Sequence, residues 1–390
     1  MGEKEDVSMN SNRAGRYIRQ QSDYSAFIPN PLPPDPSVVI DTEMLNLLSL
    51  ADRKLGRLDG ITQILPDPEL FVGMYVQKEA VLSSQIEGTQ ASFVDVIQSD
   101  LDPSHKRLDI EEVVNYVKAM NYGMERIKDL PLSLRLLREI HAILLAGVRG
   151  STRNPGEFRT SQNWIGPSGC TLSTASFVPP PAAEMMVALG DLEKYMYSES
   201  ELPPLIRIAL IHAQFETIHP FLDGNGRMGR LLIAFWLYEE KILAYPLLYI
   251  SYYFKLHRTE YYELLTTVRS QGDWEKWVKF FLKGVAHVAD EATSSAKAIM
   301  SLKDVSVTKI QSVNSGKAHA LLLLDYLFKS PVVSINEVKT ELAVSYPTAK
   351  NLVDTFCSLN IIKCIDENIA RNKRYMFVEY VKILSSGTEI

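Results

Sequence analysis

One twelve-residue segment combines residue types that could bind a phosphate and move a proton. It reads His219-Pro-Phe-Leu-Asp223-Gly-Asn-Gly-Arg227-Met-Gly-Arg230. Gly224 and Gly226 leave the backbone free to turn consecutive N–H groups toward an anion, and the helix expected after them adds the partial positive charge of its N-terminus. Arg227 and Arg230 are three residues apart and share a helix face, so their guanidinium groups could grip phosphate oxygens together. The spacing therefore predicts a phosphate-binding loop.

Two further side chains of this segment are suited to phosphoryl chemistry. Asp223 offers one hard oxygen ligand, which is the way Mg²⁺ is bound when nucleotide phosphates complete its coordination. His219 could remove a proton from an incoming hydroxyl. Each residue alone is common in ordinary turns, helix ends and surfaces, but their conjunction favours a site. A Walker A loop is excluded because no Lys-Ser/Thr pair follows the glycines, and a dinucleotide fingerprint is excluded because no parallel-strand pattern precedes them.

The segment resembles the signature of the Fic family, His-x-Phe-x-(Asp/Glu)-Gly-Asn-Gly-Arg-x-x-Arg, at every fixed position. Similar strings extend the resemblance over roughly residues 40–385: Asn115-Tyr116, Pro155 to Arg159, Ile165-Gly166 and Tyr261-Tyr262. The resemblance implies a protein adenylyltransferase, which transfers AMP from ATP to a Ser, Thr or Tyr hydroxyl of a protein, with Mg²⁺ and release of pyrophosphate. Transfer of another phosphate-containing group stays open, because the loop would recognise phosphate rather than base.

The resemblance also implies a role for each matching residue. His219 would deprotonate the target hydroxyl, Asp223 would hold Mg²⁺, and Phe221 would pack the loop in place. The residues implied to contact ATP are His219, Gly224, Asn225, Gly226, Arg227, Met228, Gly229, Arg230, Glu87 and Tyr261. Positions 224–227 would form the anion hole for the α-phosphate, and Arg230 would bind the γ-phosphate. Tyr261 would lie near the adenine, although a tyrosine at helical spacing is as often a core residue.

A second string, Ser83-x-x-x-Glu87-Gly88, is similar to the family's inhibitory motif. On its own it could be an ordinary helix end with Gly88 as the cap. The resemblance implies instead that Glu87 pairs with Arg230, occupies the place of the γ-phosphate and leaves the α-phosphate misaligned. Whether Glu87 also activates water for the removal of AMP stays open.

Composition narrows the class of protein. The 390 residues are 46% hydrophobic and 23% charged, with a net charge of −6, which predicts a soluble globular chain without a general attraction to nucleic acid. The three cysteines show no metal-ligand spacing, and the longest apolar run, of eight residues over 231–238, is shorter than the about 20 that span a bilayer. The start, Met-Gly-Glu-Lys-Glu-Asp, lacks an apolar signal core. We therefore expect a cytoplasmic protein with no membrane span.

The elements that must position the loop are helical. Apolar residues at helical spacing predict helices over 70–86, 110–127, 132–148, 205–218 and 227–238. The stretch Thr171–Pro180 predicts a short β-hairpin, and the resemblance implies that it is a flap that aligns the target protein by strand addition. The expected fold is an all-α Fic core, a helical bundle with a β-hairpin flap. We expect a flexible lead-in over 1–37, an N-terminal helical region with the inhibitory helix over 38–110, the Fic catalytic domain over 111–300, a linker over 301–316, and a winged helix-turn-helix domain over 317–390.

The C-terminal region is assigned from the order of its elements. Helix 317–328, an extended piece 332–334, helices 335–342 and 345–359, and strand-like runs 361–365 and 373–378 follow the order of a winged helix-turn-helix. The residues that could reach DNA are Ser345, Tyr346, Thr348, Lys350, Asn351, Arg371, Lys373 and Arg374. Residues 301–390 carry eleven basic and nine acidic side chains, a small excess for duplex binding, so a protein-docking or homodimer role stays open. The alternative function is a nucleotide-sensing transcription regulator that binds DNA, and self-modification of the enzyme also stays open.

Overall fold

The computed structural model describes residues 12–21, 24–63, 65, 68–99, 107–167, 169–313, 316–366 and 373–389. Its helices are α1 (Thr42–Gln63), α2 (Pro68–Ile86), α3 (Phe93–Ser99), α4 (Leu108–Arg126), α5 (Leu134–Leu144), α6 (Ala182–Tyr197), α7 (Pro204–Ile218), α8 (Asn225–Glu239), α9 (Ser251–Leu256), α10 (Arg258–Gln271), α11 (Trp274–Gln311), α12 (Lys317–Lys329), α13 (Ile335–Glu341), α14 (Tyr346–Ser358) and α15 (Val378–Ser385). The strands are β1 (Gly15–Arg19), β2 (Ser25–Pro29), β3 (Val332–Ser334), β4 (Lys363–Cys364) and β5 (Arg374–Met376). The described part of the chain is thus mostly helical.

Helices α7 and α8 lie at the centre of the core. Almost every residue of both helices is buried, which is typical of helices that are apolar on all faces. Helices α2, α4, α6 and α11 pack around the pair, and α1 runs along α11. The indole N–H of Trp277 in α11 donates to the Ala209 carbonyl of α7 at 2.7 Å. The polar group of this buried indole therefore has a hydrogen-bond partner. The loop that joins α7 to α8 is therefore held between two rigid helices.

The helices predicted around the loop are confirmed with small changes of bounds. The predicted helix 132–148 is shorter at both ends, from Leu134 to Leu144. Its start is set by Ser133, whose side chain accepts from the Leu136 N–H as an N-cap. No described helix is both long enough and apolar enough to span a lipid bilayer.

The N-terminal region differs from the flexible lead-in expected over 1–37. Residues 15–29 form a β-hairpin of β1 and β2 that packs on the core, and residues 1–11 and 22–23 lie outside the described part. Arg13 donates to Glu275 at 2.9 Å, and the Phe27 side chain is buried. The Phe27 N–H also donates to the Val178 carbonyl at 2.9 Å. The buried Phe27 side chain and the buried Arg13 thus attach to the core a segment that composition alone marks as polar.

The expected linker 301–316 is helical over most of its length. Helix α11 continues to Gln311, whereas positions 314 and 315 lie outside the described residues. Ser306 and Ile310 are both buried, four residues apart on one face. The Ser306 hydroxyl bonds a carbonyl one turn back, so this small polar residue can be buried inside the helix. Because Ser306 occupies a buried position on the apolar face, the sequence of this segment does not show a clear amphipathic pattern.

The flap segment differs from the expected hairpin. No strand forms within Thr171–Pro180, all of which is described; residues 172–174 form a turn, and most of the others are in irregular structure. One antiparallel bridge joins Phe177 to Ile165, with N···O distances of 2.8 and 3.0 Å. The Thr171 N–H donates to the Thr174 hydroxyl at 2.9 Å, which closes a turn in place of a strand pair. The pairing partner thus precedes the predicted segment.

The C-terminal region contains the predicted elements and one more. Strands β3, β5 and β4 form an antiparallel sheet in that order, and α13 and α14 pack against each other. The additional element is α15, which begins directly after Phe377 and buries Tyr380 and Leu384. It was missed because its first residues continue the apolar run of β5. Arg371, proposed for the wing, lies outside the described residues.

Candidate active site

The loop between α7 and α8 reverses the chain in six residues. Helix α7 ends because His219 adopts a left-handed conformation, with φ of 50°. Helix α8 begins after Gly224, whose φ is 78°, a value that glycine adopts without strain. None of the described side chains caps the start of α8. Its first N–H groups therefore face the space above the loop.

Asn225 and Phe221 hold the loop closed. The Phe221 N–H donates to Asn225 Oδ1, and Asn225 Nδ2 donates back to the Phe221 carbonyl, both at 2.8 Å. The Phe221 ring is fully buried and stacks on His141, with ring centroids 3.7 Å apart. His141 in turn lies 3.0 Å from the Asp223 carbonyl. The side chain of Asn225 thus shapes the loop, and only its backbone N–H is left for an anion.

His219 is held by its backbone while its ring stays available. Arg159 Nε donates to the His219 carbonyl at 2.9 Å, and Asn163 Nδ2 donates to the same oxygen at 3.2 Å. Burial and the nearby Arg159 charge lower the pKa of His219 to about 4, so the imidazole is neutral at pH 7. Its Nδ1 has no hydrogen-bond partner among the described residues. A neutral ring with a free nitrogen can accept a proton.

Arg227 is a buried cation without a close partner. Its side chain is 1% exposed, and Nε and Nη1 have no hydrogen-bond partner in the described part of the chain. The nearest carboxylate oxygens, of Glu112 and Asp223, are 4.0 and 3.7 Å away. Burial lowers the pKa of Arg227. Because a buried charge with unsatisfied N–H groups is costly, this arrangement indicates a site for an anionic ligand.

Asp223 lies at the mouth of the loop. Its side chain is 35% exposed, and its Oδ1 accepts from the Gly224 N–H at 2.6 Å. The described residues contain no group of three His, Cys, Asp or Glu side chains that could enclose a metal. A single carboxylate beside a phosphate site fits Mg²⁺, which keeps water and takes most remaining ligands from a nucleotide.

The two predicted inhibitory residues contact Arg230. Arg230 Nη2 donates to Glu87 Oε1 at 2.7 Å, and Arg230 Nε donates to the Ser83 hydroxyl at 2.8 Å. Burial raises the pKa of Glu87, but the Arg230 charge and hydrogen bond outweigh it, so the pKa is lowered overall. Gly88 follows with φ of 97°.

The carboxylate of Glu87 also covers the start of α8. A Cβ on Gly226 would lie 2.2 Å from Glu87 Oε1, so this glycine is needed for the close approach. The carboxylate thus occupies the position where backbone N–H groups and the positive end of the helix favour an anion. The structure brings together Ser83, Glu87 and the residues of the twelve-residue segment.

Three residues expected near ATP are placed in the core. Tyr261 is 1% exposed, its hydroxyl lies 3.0 Å from His212 Nε2, and its ring stacks on Phe254. The Met228 side chain is also fully buried, and Gly229 turns its carbonyl to His212. The core interpretation of Tyr261 is therefore the one that the geometry favours.

Two residues to which the sequence assigned no role lie close to the site. The neighbour of Tyr261, Tyr262, is 41% exposed; burial and then the Glu87 charge raise its pKa to about 12, which places it near the Glu87–Arg230 pair. Glu216, one turn before His219, has a buried Oε1 without a partner among the described residues. Its burial raises its pKa to about 7. Neither residue belongs to the motif, so only the fold reveals them.

Comparison with known proteins gives the family. The Fic/DOC family N-terminal domain matches residues 45–125, and the Fic/DOC family domain matches residues 131–237. The chain therefore contains an N-terminal and a central Fic/DOC family domain. The Fic match ends within α8, so it includes the whole loop from His219 to Arg230.

Curated relatives and solved structures agree with this Fic assignment. The chain is 30% identical over 202 residues to the protein adenylyltransferase Fic of Drosophila virilis, covering 50% of this chain and 38% of that protein. It is 28% identical over 246 residues to the protein of the same name from Drosophila melanogaster, covering 60% and 46%. The chain thus spans less than half the length of these relatives.

Two solved Fic structures share the fold. A Fic family protein from Desulfovibrio desulfuricans G20 aligns with a TM-score of 0.56 at 20% identity, over 87% of this chain and 97% of that one. A Fic domain containing signaling protein from Bacteroides thetaiotaomicron aligns with a TM-score of 0.52 at 18% identity, over 64% and 97%. At these identities the likeness concerns the fold alone.

Proposed function

We propose that the chain is a protein adenylyltransferase that uses ATP as the donor. The observation that carries the proposal is the buried guanidinium of Arg227, which lacks hydrogen-bond partners at Nε and Nη1 among the described residues and lies beside the start of α8, where no side chain makes a cap hydrogen bond. A neutral His219 stands at the other end of the same loop. The names of the curated relatives support the same activity.

The proposed reaction needs one base and one anion hole. A hydroxyl of the target protein loses its proton to the neutral imidazole of His219 while its oxygen forms a bond to the α-phosphorus. The bond from that phosphorus to the β-phosphate bridging oxygen breaks, and pyrophosphate leaves. The N–H groups at the start of α8 and the Arg227 guanidinium stabilise the charge that grows on the α-phosphate.

Asp223 is the residue that would hold Mg²⁺ in this site. The ion supplies neutralisation of phosphate charge when bound. The protein's own contribution is to fix the Asp223 backbone, through the contact of its carbonyl with His141 and of its Oδ1 with the Gly224 N–H.

Glu87 is proposed as the brake on this reaction. A carboxylate that holds Arg230 at 2.7 Å and lies over Gly226 competes with a γ-phosphate for one cation and one helix end. ATP would then bind with its α-phosphate displaced from the line of attack. A displacement of about 1 Å can cost a factor of about 10² in rate. The resting protein is therefore weakly active.

The adenine contact is proposed for the side of the site where Tyr262 is exposed, since the Tyr261 ring is closed off in the core. The segment Thr171–Pro180 is proposed to receive the target protein, with Phe177 already paired to Ile165 on one side. The intact-mass experiment described below decides whether the target is another protein or a copy of this chain.

The C-terminal region is proposed to be a winged helix used for protein contacts. Its order of helices and strands supports the fold, and Ser345, Tyr346, Thr348, Lys350 and Asn351 are exposed on or just before α14. Arg374, however, makes a bidentate pair with Asp366, with both N···O distances at 2.8 Å, so its charge is already engaged. The regulator that binds DNA is therefore not favoured.

Intact-mass analysis after incubation with ATP and Mg²⁺ tests the proposed function. A gain of about 329 Da per site on the chain or on an added protein would identify AMP transfer. A gain of about 80 Da would identify phosphorylation and contradict the proposal. The matched control is His219→Ala, which should show neither.

A further inference from the structure

The end of α2 contacts a distant part of the chain, residues 386–389, which follow α15. Gln85 lies between the two residues that hold Arg230, Ser83 of α2 and Glu87 directly after α2. Its Nε2 donates to the Thr388 carbonyl at 2.9 Å and to the Ala91 carbonyl at 3.0 Å. One side-chain amide therefore joins the end of α2, the loop that follows it and the segment 386–389.

The segment 386–389 follows a defined path. Thr388 is 2% exposed, and both its N–H and its hydroxyl donate to the Ser385 carbonyl. Lys255 of α9 donates to the Gly387 carbonyl at 3.2 Å and to the Glu389 carbonyl at 2.6 Å. Gly387 has φ of 81°, and a Cβ there would lie 2.2 Å from the Tyr252 ring. No other residue type fits this position.

The same segment is continuous with the C-terminal region. Helix α15 packs on α2, and its Tyr380 lies against Phe328 of α12, with ring centroids 4.8 Å apart. Leu384, in the last turn of α15, is fully buried. A movement of α15 relative to the core would therefore pull on the Thr388 carbonyl that holds Gln85.

We propose that residues 386–389 are a latch that keeps the last turn of α2 folded and Glu87 on Arg230. This inference rests on the proposed role of Glu87 as the brake. The last turn of a helix frays most readily, because its carbonyls lack partners further along the chain. The latch opposes that fraying through Gln85, and the C-terminal region thereby sets how often the brake is released.

Two variants loosen the latch without touching the phosphate site. Gln85→Met keeps the side-chain length and the helix propensity but removes both hydrogen bonds. Gly387→Ala displaces the segment from Tyr252. Their matched controls are Gln77→Met, the same change two turns earlier on α2, and Gly316→Ala, at a similar φ of 76° with open space around it.

The effect of each variant on the brake is measured as AMP transfer from α-³²P-labelled ATP. Both latch variants should raise transfer by about five-fold, the change expected when the neutral Gln85–Thr388 hydrogen bond that forms the latch is lost, and both controls should match the wild type. Gln85→Met should add nothing in a Glu87→Gly background, since the latch acts only through Glu87. Wild-type transfer in both latch variants, with high transfer in Glu87→Gly, would overturn the latch and leave the proposed function intact.

Hydrogen exchange of the amides of residues 84–89 tests the latch without any activity. Faster exchange in Gln85→Met and Gly387→Ala than in the two controls supports it, and equal exchange overturns it. The proposed function fails separately, when Glu87→Gly and His219→Ala transfer the same amount of label as the wild type.

Discussion

The carboxyl of Glu216 lies against Gly229 so closely that a Cβ on the glycine would be 2.4 Å from Glu216 Oε1. This contact sets the approach of α7 and α8 beside the loop. The Gly229 carbonyl is fixed by His212 at 3.0 Å, so the glycine cannot move aside.

We expect Gly229→Ala to lower the free energy of unfolding by about 1–3 kcal/mol, as overpacking does in a close-packed core. The thermal midpoint and the guanidinium midpoint measure it. Gly190→Ala is the matched control, because this helical glycine of α6 has open space around it and alanine favours helix. A Gly229→Ala protein as stable as Gly190→Ala would contradict the contact.

Glu87→Gly should increase AMP transfer by about 10², since it frees Arg230 and uncovers Gly226. Single-turnover labelling at saturating ATP separates this from a change in affinity. Glu87→Asp, whose carboxylate is one methylene shorter, should lie between the glycine variant and the wild type. Equal rates for all three proteins would show that the Glu87–Arg230 pair does not limit the reaction.

Arg227→Met should abolish ATP binding while raising the free energy of unfolding by about 1 kcal/mol. The reason is that the variant removes a buried charge that has no hydrogen-bond partner among the described residues at two of its nitrogens. Calorimetric titration with ATP and thermal melts without ATP check the two halves. Arg135→Met, on the exposed face of α5, should change neither; a destabilised Arg227→Met protein would mean that the charge is satisfied in the resting state.

The rate of transfer should depend little on pH between about 5 and 8. His219 has a pKa lowered to about 4, so its neutral, proton-accepting form is lost only as the pH falls through that value. An ordinary histidine would lose it near about 6.5. The Glu87 charge raises the pKa of His219. In the Glu87→Gly variant the pH at which the rate falls to half should therefore be lower than in the wild type. A half-maximal rate near pH 6.5 would contradict the burial of the base.

The two adjacent tyrosines should separate stability from binding. Tyr261→Phe removes the hydrogen bond to His212 and should cost about 1 kcal/mol of stability with little effect on ATP affinity. Tyr262→Ala should weaken ATP binding and leave the melting temperature nearly unchanged. Thermal melts and ATP titrations on both variants measure the two effects. Weaker ATP binding in Tyr261→Phe with unchanged binding in Tyr262→Ala would assign the adenine contact to Tyr261.

The central part of this structure could be predicted from the sequence because it follows simple periodicity. Helices α7 and α8 consist mainly of apolar residues, and the glycines of the loop between them mark both its turn and its anion-binding backbone. The Fic/DOC match over residues 131–237 confirms the family resemblance that this loop carries. The roles of its side chains stay predictions.

The remaining features depend on contacts that sequence spacing does not reveal. The N-terminal hairpin is fixed by Arg13 reaching Glu275, 262 residues away. Helix α11 continues through Ser306, a polar residue that is buried on the apolar face because its hydroxyl bonds a carbonyl one turn back. Tyr261 and Tyr262 are adjacent in sequence, and only the packing of Phe254 and His212 decides which ring is closed in.

Arg159 joins three segments through its guanidinium. It donates to the carbonyls of Ile218 and His219 at the end of α7 and to the Pro180 carbonyl at the end of the flap, at 3.3, 2.9 and 2.5 Å. A peptide that pushes on the flap therefore pushes on the same cation that orients the base. With the proposed roles of the flap and of His219, docking of a target and alignment of the base would be one mechanical event, and a poorly fitting peptide would be rejected by slow chemistry as well as by weak binding.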